Sequence, residues 1–132
     1  MKHAMNTKTR MLPSPGIGPD NESFIAAARE GRFVLRWCDD CGKTHWYPRA
    51  ICPHCMSSRL QWRPASGRGT VYSYSTMQRT DPPYTLAYVT LAEGPTMLTN
   101  LVGDGPYRIG MAVQLQFVAS DDGTPVPVFT RS

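Results

Sequence analysis

The chain has 132 residues, a formal net charge of +4, 11 glycines, 12 prolines and four cysteines. That length excludes a multidomain enzyme with a large cleft of its own, and the many turn formers exclude a helical bundle or a disordered tail. No apolar run approaches the ~18 residues that cross a bilayer, and no apolar stretch follows the basic N-terminus as a secretory signal requires, so a cytoplasmic chain with reduced thiols is expected.

Residues 1–19 show no periodicity and carry Pro13, Pro15, Gly16, Gly18 and Pro19; they read as a flexible arm. A docking helix follows within residues 20–31. Asp20 is placed to cap it, Ala26-Ala27-Ala28 favours it, and Gly31 suits the position just past its end. Its apolar side is Phe24, Ile25 and Ala28, and it is too short to persist undocked.

Residues 32–63 hold a cysteine segment between two strand-like runs, Phe33–Trp37 and Leu60–Arg63. Six basic residues face two acidic ones there, whereas residues 64–132 have four basic against five acidic. Pro64-Ala65-Ser66-Gly67 reads as a hinge. Strand-like runs follow at Thr70–Met77, Thr85–Leu91, Met97–Val102, Met111–Ala119 and Val126–Thr130. In the first, Tyr72, Tyr74 and Thr76 share one face; in the fourth, Val113, Leu115 and Phe117 oppose Gln114 and Gln116. Five strands with Gly, Pro and Asp turns and no helical interlude predict a small antiparallel barrel, so the fold class is mostly β.

The strongest motif is Cys38-Asp39-Asp40-Cys41, ten residues, Cys52-Pro53-His54-Cys55. Two residues between thiolates let both sulfurs take one ion, and two such knuckles complete a tetrahedral site closed to solvent. Structural Zn2+ on Cys38, Cys41, Cys52 and Cys55 is therefore expected, with iron as the variant that spacing does not separate. Four buried free thiols is the plain alternative. Redox catalysis by Cys-Pro-His-Cys needs a long helix after the motif, and Ser57–Trp62 leaves no room for one. His45 and His54 could each stand in for a sulfur, but four thiols already saturate the ion.

With the thiols engaged, no nucleophile, base and orienting group can be assembled. The barrel has no histidine, and Asp81, Glu93, Asp104, Asp121 and Asp122 all lie near Gly or Pro in predicted turns. The chain reads as no enzyme by itself.

The ordered set of features resembles a known family. It comprises Ala-Ala-Arg-Glu-Gly, Cys-x-x-Cys-Gly, Trp46-Tyr47-Pro48-Arg49, Cys-Pro-x-Cys, Trp62, Gly67–Tyr74, Pro82-Pro83-Tyr84, Glu93-Gly94-Pro95, Leu98–Gly103, Arg108–Val113 and Pro127-Val128-Phe129. Over residues 21–130 it is similar to the zinc-ribbon/OB-fold proteins associated with acyl-CoA enzymes, long labelled a domain of unknown function. The resemblance implies a rubredoxin-like zinc ribbon over residues 32–63 and a five-stranded OB-fold barrel over 64–132. It also implies an accessory subunit of a thiolase-like (thiolase or aldolase) or MaoC-like, hotdog-fold hydratase enzyme, with a CoA thioester as shared ligand. Tyr74, Arg79 and Tyr84 are the ligand-binding candidates, against the alternative that the tyrosines pack on the barrel and Arg79 is solvated. Trp37, Trp46 and Trp62 are read first as packing under the ribbon and second as a partner-facing patch. A single-stranded nucleic-acid-binding zinc-ribbon/OB module is the competing function, disfavoured because the barrel half has few cations among its aromatics.

Overall fold

A computed structural model describes residues 11–132. The first ten residues of the expected arm therefore lie outside the described residues. From Leu12 onward the chain is tied down: Leu12 is buried, its carbonyl accepts from the Asp121 amide at 2.9 Å, and the Ser14 amide donates to the Asp121 carboxylate at 3.1 Å.

The helix α1 spans Glu22–Arg29 and is capped at Asn21 rather than at Asp20. The Asn21 side chain is buried and turned away from the helix. It accepts from the Gly18 amide at 2.9 Å and donates to the Gly16 carbonyl at 3.0 Å and to Tyr47 Oη at 2.6 Å. It therefore braces the incoming chain, and a capping motif read from residue type alone misses that competition. At the other end Gly31 has φ 78°, and the amides of Gly31 and Arg32 donate to Ala28 and Ala27. This left-handed stop is the one the glycine predicts. Phe24, Ile25, Ala27 and Ala28 are buried.

The helix docks on a three-stranded sheet and on the barrel together. The sheet is β2-β1-β3, from β1 (Val34–Cys38), β2 (Thr44–His45) and β3 (Leu60–Pro64). Phe24 packs edge-on against Phe33 (6.2 Å between centroids), Trp46 (5.1 Å) and Phe117 (6.1 Å). One apolar core thus runs from the helix through Val34 and Leu35 into the barrel residues Val71, Val89, Met97, Val113 and Phe129. The hinge expected at Pro64–Gly67 is pinned. Ala65 donates to Phe33 O, Ser66 N donates to Glu93 Oε2, and Leu115 N donates to Gly67 O.

The barrel closes in the order β4-β5-β6-β8-β7. Its strands are β4 (Arg68–Met77), β5 (Tyr84–Leu91), β6 (Thr96–Leu101), β7 (Ala112–Ala119) and β8 (Pro125–Arg131). The alternation expected for β4 is broken by a bulge at Tyr72. Val71 pairs with Val89, but Ser73 pairs with Tyr88 and Tyr74 with Ala87. Tyr72 is therefore an extra residue turned to solvent, and Tyr74 is carried to the face it shares with Ala87. Closure is weakest between β6 and β8, where only Leu101↔Phe129 pair. Pro125 and Pro127 explain this: each pairs opposite β7 without an N–H, so their missing amides fall on the β6 side. Thr99 Oγ1 donates to the Pro127 carbonyl at 3.1 Å and supplies part of the missing ladder.

Asp122 fastens the β7–β8 turn. Its carboxylate accepts from Ser120 Oγ and from the Thr124 amide, both at 3.0 Å. The Thr124 hydroxyl and amide hold this carboxyl well below the usual carboxylate range. A depressed folded-state pKa gives stability that is fully present above the unfolded value of about 3.9 and is lost as pH falls from there through the lower folded-state value. Asp122→Asn should thus melt below wild type at pH 6, and the gap should close as acid titrations go below about pH 4. Equal melting at pH 6 would refute the role.

Candidate metal centre

Two matching turns build the site. In the first, Cys38 N donates to Lys43 O and Gly42 N to Cys38 O, both at 2.9 Å. In the second, Cys52 N donates to Ser57 O and Met56 N to Cys52 O, both at 2.8 Å. Each turn places its two cysteines three apart on one side, with amides aimed at sulfur; His54 N lies 3.4 Å from Cys52 Sγ. Each turn also needs a left-handed residue at the same place. Gly42 meets this at φ 74°, and Met56 meets it at φ 67°, the one non-glycine with positive φ among the described residues. Met56 is 74% exposed, so little packing compensates the strain. Met56→Gly should raise stability by up to about 1 kcal/mol and Met56→Ile should lower it, read from denaturant midpoints. A destabilised glycine variant would contradict the turn geometry.

The four sulfurs lie within 4.8 Å of one another, with Cys38 and Cys55 at 3.5 Å and Cys41 and Cys52 at 3.7 Å. A zinc–sulfur bond of about 2.3 Å sets a tetrahedral edge of about 3.8 Å, so the donor set fits one ion of that size. Local charge agrees. The Cys41 amide, more than any other group, draws the Cys38 thiol down to about 7. At Cys55 the Ser57 amide lowers the pKa, but the neighbouring thiols and burial outweigh it and push it up to about 12. Four thiols this close cannot all ionise without a cation among them. Cys38 and Cys52 are buried and Cys55 is exposed, so the site sits at the surface end of the sheet.

Neither histidine joins this set. His54 is exposed and its Nε2 lies 3.4 Å from the Thr44 carbonyl. His45, opposite Arg36 in the β1–β2 pair, is 3% exposed with neither ring nitrogen hydrogen-bonded. Burial, followed by the charges of His54, Arg49 and Arg36, lowers its pKa. Of the tryptophans, Trp46 enters the aromatic core. Trp37 and Trp62 are half-buried against it. Arg36 stacks over Trp62 at 4.3 Å and Arg63 over Trp37 at 5.5 Å.

The three ligand-binding candidates are spread around the β4–β5 hairpin. Tyr74 donates to the Tyr107 carbonyl at 2.8 Å and packs edge-on against that ring. Tyr84 pairs with Met77 on the opposite face, and Arg79 is exposed in the turn between the strands. The bulge is what separates the two tyrosines, and nothing in the residue pattern announces it. A groove of about 390 Å³ lies elsewhere, between Phe33, Ala65, Gly67, Gln114, Leu115 and Phe117.

The chain matches two family models in succession: the ChsH2 rubredoxin-like zinc ribbon domain over residues 26–61 and the ChsH2 C-terminal OB-fold domain over residues 62–118. It is similar to a solved chain of an "Ltp2-ChsH2(DUF35) aldolase", with TM-score 0.76 and 36% identity over 89% of this chain and 98% of that one. It is 37% identical over 126 residues to a probable enoyl-CoA hydratase alpha subunit of Thermomonospora curvata, covering 90% of this chain and 40% of that protein. It is 34% identical over 83 residues to the benzoylsuccinyl-CoA thiolase subunit BbsA of Geobacter metallireducens, covering 59% and 56%. The chain thus spans about half the length of these two curated relatives. No helix among the described residues is long and apolar enough to cross a membrane. A ribbon with four clustered thiols, fused to a closed five-stranded barrel and matched in that order, places this chain in the ChsH2/DUF35 family of zinc-ribbon and OB-fold proteins.

Proposed function

We propose that this chain is a non-catalytic accessory subunit that binds and stabilises a thiolase-fold or hotdog-fold hydratase partner and helps hold its acyl-CoA substrate. The observation that carries this reading is the match across 98% of a solved chain of an "Ltp2-ChsH2(DUF35) aldolase". The names of the hydratase alpha subunit and thiolase subunit point the same way. On this reading Cys38, Cys41, Cys52 and Cys55 hold one structural zinc, which supplies no open position to a substrate and keeps the ribbon folded. Three of the five barrel carboxylates have structural work. Asp121 holds Ser14, Asp122 closes a turn, and Glu93 holds the Ser66 amide. On this reading Arg79 and Tyr84 at the hairpin tip would meet a CoA phosphate or adenine brought by the partner, with Tyr74, which donates to the Tyr107 carbonyl, further along β4.

The nucleic-acid reading draws no support from the ribbon's aromatics, because the faces of Trp37 and Trp62 are covered by this chain's own arginines. Tagging the full chain in its native cell and identifying what co-purifies in fixed proportion tests the proposal. An acyl-CoA enzyme subunit whose yield or turnover falls without this chain is the expected result. Turnover of an acyl-CoA by the purified chain with no second polypeptide present would sink it.

A further inference from the structure

Ten large apolar residues are exposed among the described residues, and four of them stand together. Tyr88 on β5 pairs directly with Leu98 on β6, and on its other side with Ser73, next to the bulged Tyr72. Cross-strand partners share a face, so Ser73, Tyr88 and Leu98 line up across three adjacent strands, with the exposed Tyr72 beside Ser73 at the bulge. The row continues past β4. Gly110 N donates to Val71 O at 2.8 Å and Val71 N to Met111 O at 3.0 Å, which brings Ile109 beside the bulge. The exposures are 68% for Ile109, 68% for Tyr72, 48% for Tyr88 and 56% for Leu98. At a strand spacing of about 4.8 Å the ridge is roughly 14 Å long.

The surroundings of the ridge narrow what can cover it. Arg68, at the far end of β4, is the single charged residue in β4, β5 and β6. A nucleic-acid strand needs a track of cations, and an anionic membrane needs a basic rim; these three strands add only Arg68, and Arg108, next to Ile109, is one exposed cation and not a track. The barrel is closed, so a partner cannot add a strand here and must meet side chains. Tyrosine-rich, charge-poor surface is the composition of a protein–protein interface core.

We infer that the row Ile109, Tyr72, Tyr88 and Leu98 is the ridge by which this chain seats in an uncharged apolar furrow of its acyl-CoA enzyme subunit. The inference rests on the accessory-subunit reading and adds the surface used. The partner covers the ridge, leaving the metal centre and the groove between Phe33 and Phe117 free of this contact.

The test uses the full zinc-loaded chain and the enzyme subunit recovered with it, with affinity measured by sedimentation velocity. Leu98→Arg should weaken the complex at least about thirtyfold, the mark of an interface hot spot. Ile17→Ser, 55% exposed away from the ridge, should leave it within about threefold. Both variants should keep the wild-type melting temperature and metal content. Should Leu98→Arg melt early, Tyr72→Ser carries the same comparison. An unchanged affinity in the folded ridge variants overturns the ridge and leaves the subunit reading standing. Failure of the wild-type chain to join any acyl-CoA enzyme subunit overturns that reading and the ridge with it. Co-sedimentation with phosphatidylcholine–phosphatidylglycerol vesicles that Leu98→Arg abolishes, without a protein complex, assigns the ridge to lipid and overturns the inference.

Discussion

Replacing Cys52 with serine is expected to cost the chain its metal and the fold of its ribbon. Cys52 is completely buried and its sulfur lies 3.7 Å from that of Cys41. A serine there leaves three thiolates and a buried hydroxyl that is a poor zinc ligand. Structural zinc contributes about 10–16 kcal/mol of apparent binding free energy in zinc-finger peptides, and the second knuckle has little else to hold it. Pro53, His54, Cys55 and Met56 are all exposed. Elemental analysis should fall from about one zinc per chain to near zero, and amides of the two knuckles, residues 39–43 and 53–58, should lose exchange protection. The barrel should melt as a separate, later step, because Val89, Val113 and Phe129 keep their core. Cys55→Ser should be milder, since Cys55 is exposed and water can complete the coordination. A wild-type protein that contains neither zinc nor iron, with its ribbon protected, would refute the metal centre.

Phe24→Ala is the second large effect. Phe24 is 1% exposed and touches the ribbon side through Phe33 and Trp46 and the barrel through Phe117. Truncating a buried phenylalanine costs about 3–5 kcal/mol, from lost transfer energy and from the cavity left behind. For a chain this long that is a fall of roughly 10–20 °C in melting temperature. The cost should lie at the upper end, because α1 has eight residues and no stability of its own once undocked. Phe24→Leu should recover more than half of the loss. A change below about 1 kcal/mol for Phe24→Ala would show that α1 is not held by this contact.

These effects differ in how visible they are along the chain. The two knuckles are local: each closes within six residues through its own backbone bonds, so CxxC spacing announces them. The stop at Gly31 and the inward run of Val113, Leu115 and Phe117 are local in the same sense. The short strand β2 was not evident, because two residues carry no period and Thr44–His45 is a strand only by pairing with β1. The capping role of Asp20 fails for a related reason. Asn21 holds the N-cap position, and its side chain bonds Tyr47, 26 residues away, along with Gly16 and Gly18.

What residue order alone determined here is everything that closes over a few residues. That includes the sulfur quartet, the helix with its apolar side, the number of barrel strands, and the family to which their succession belongs. Tertiary structure decided which side chains meet across strands. A single extra residue at Tyr72 shifts the register of β4 against β5 and parts Tyr74 from Tyr84. The physical reason is that side chains alternate along a strand with period two, so one inserted residue reverses every face beyond it. That insertion is set by the hydrogen bonds of the partner strand, which a linear pattern does not contain.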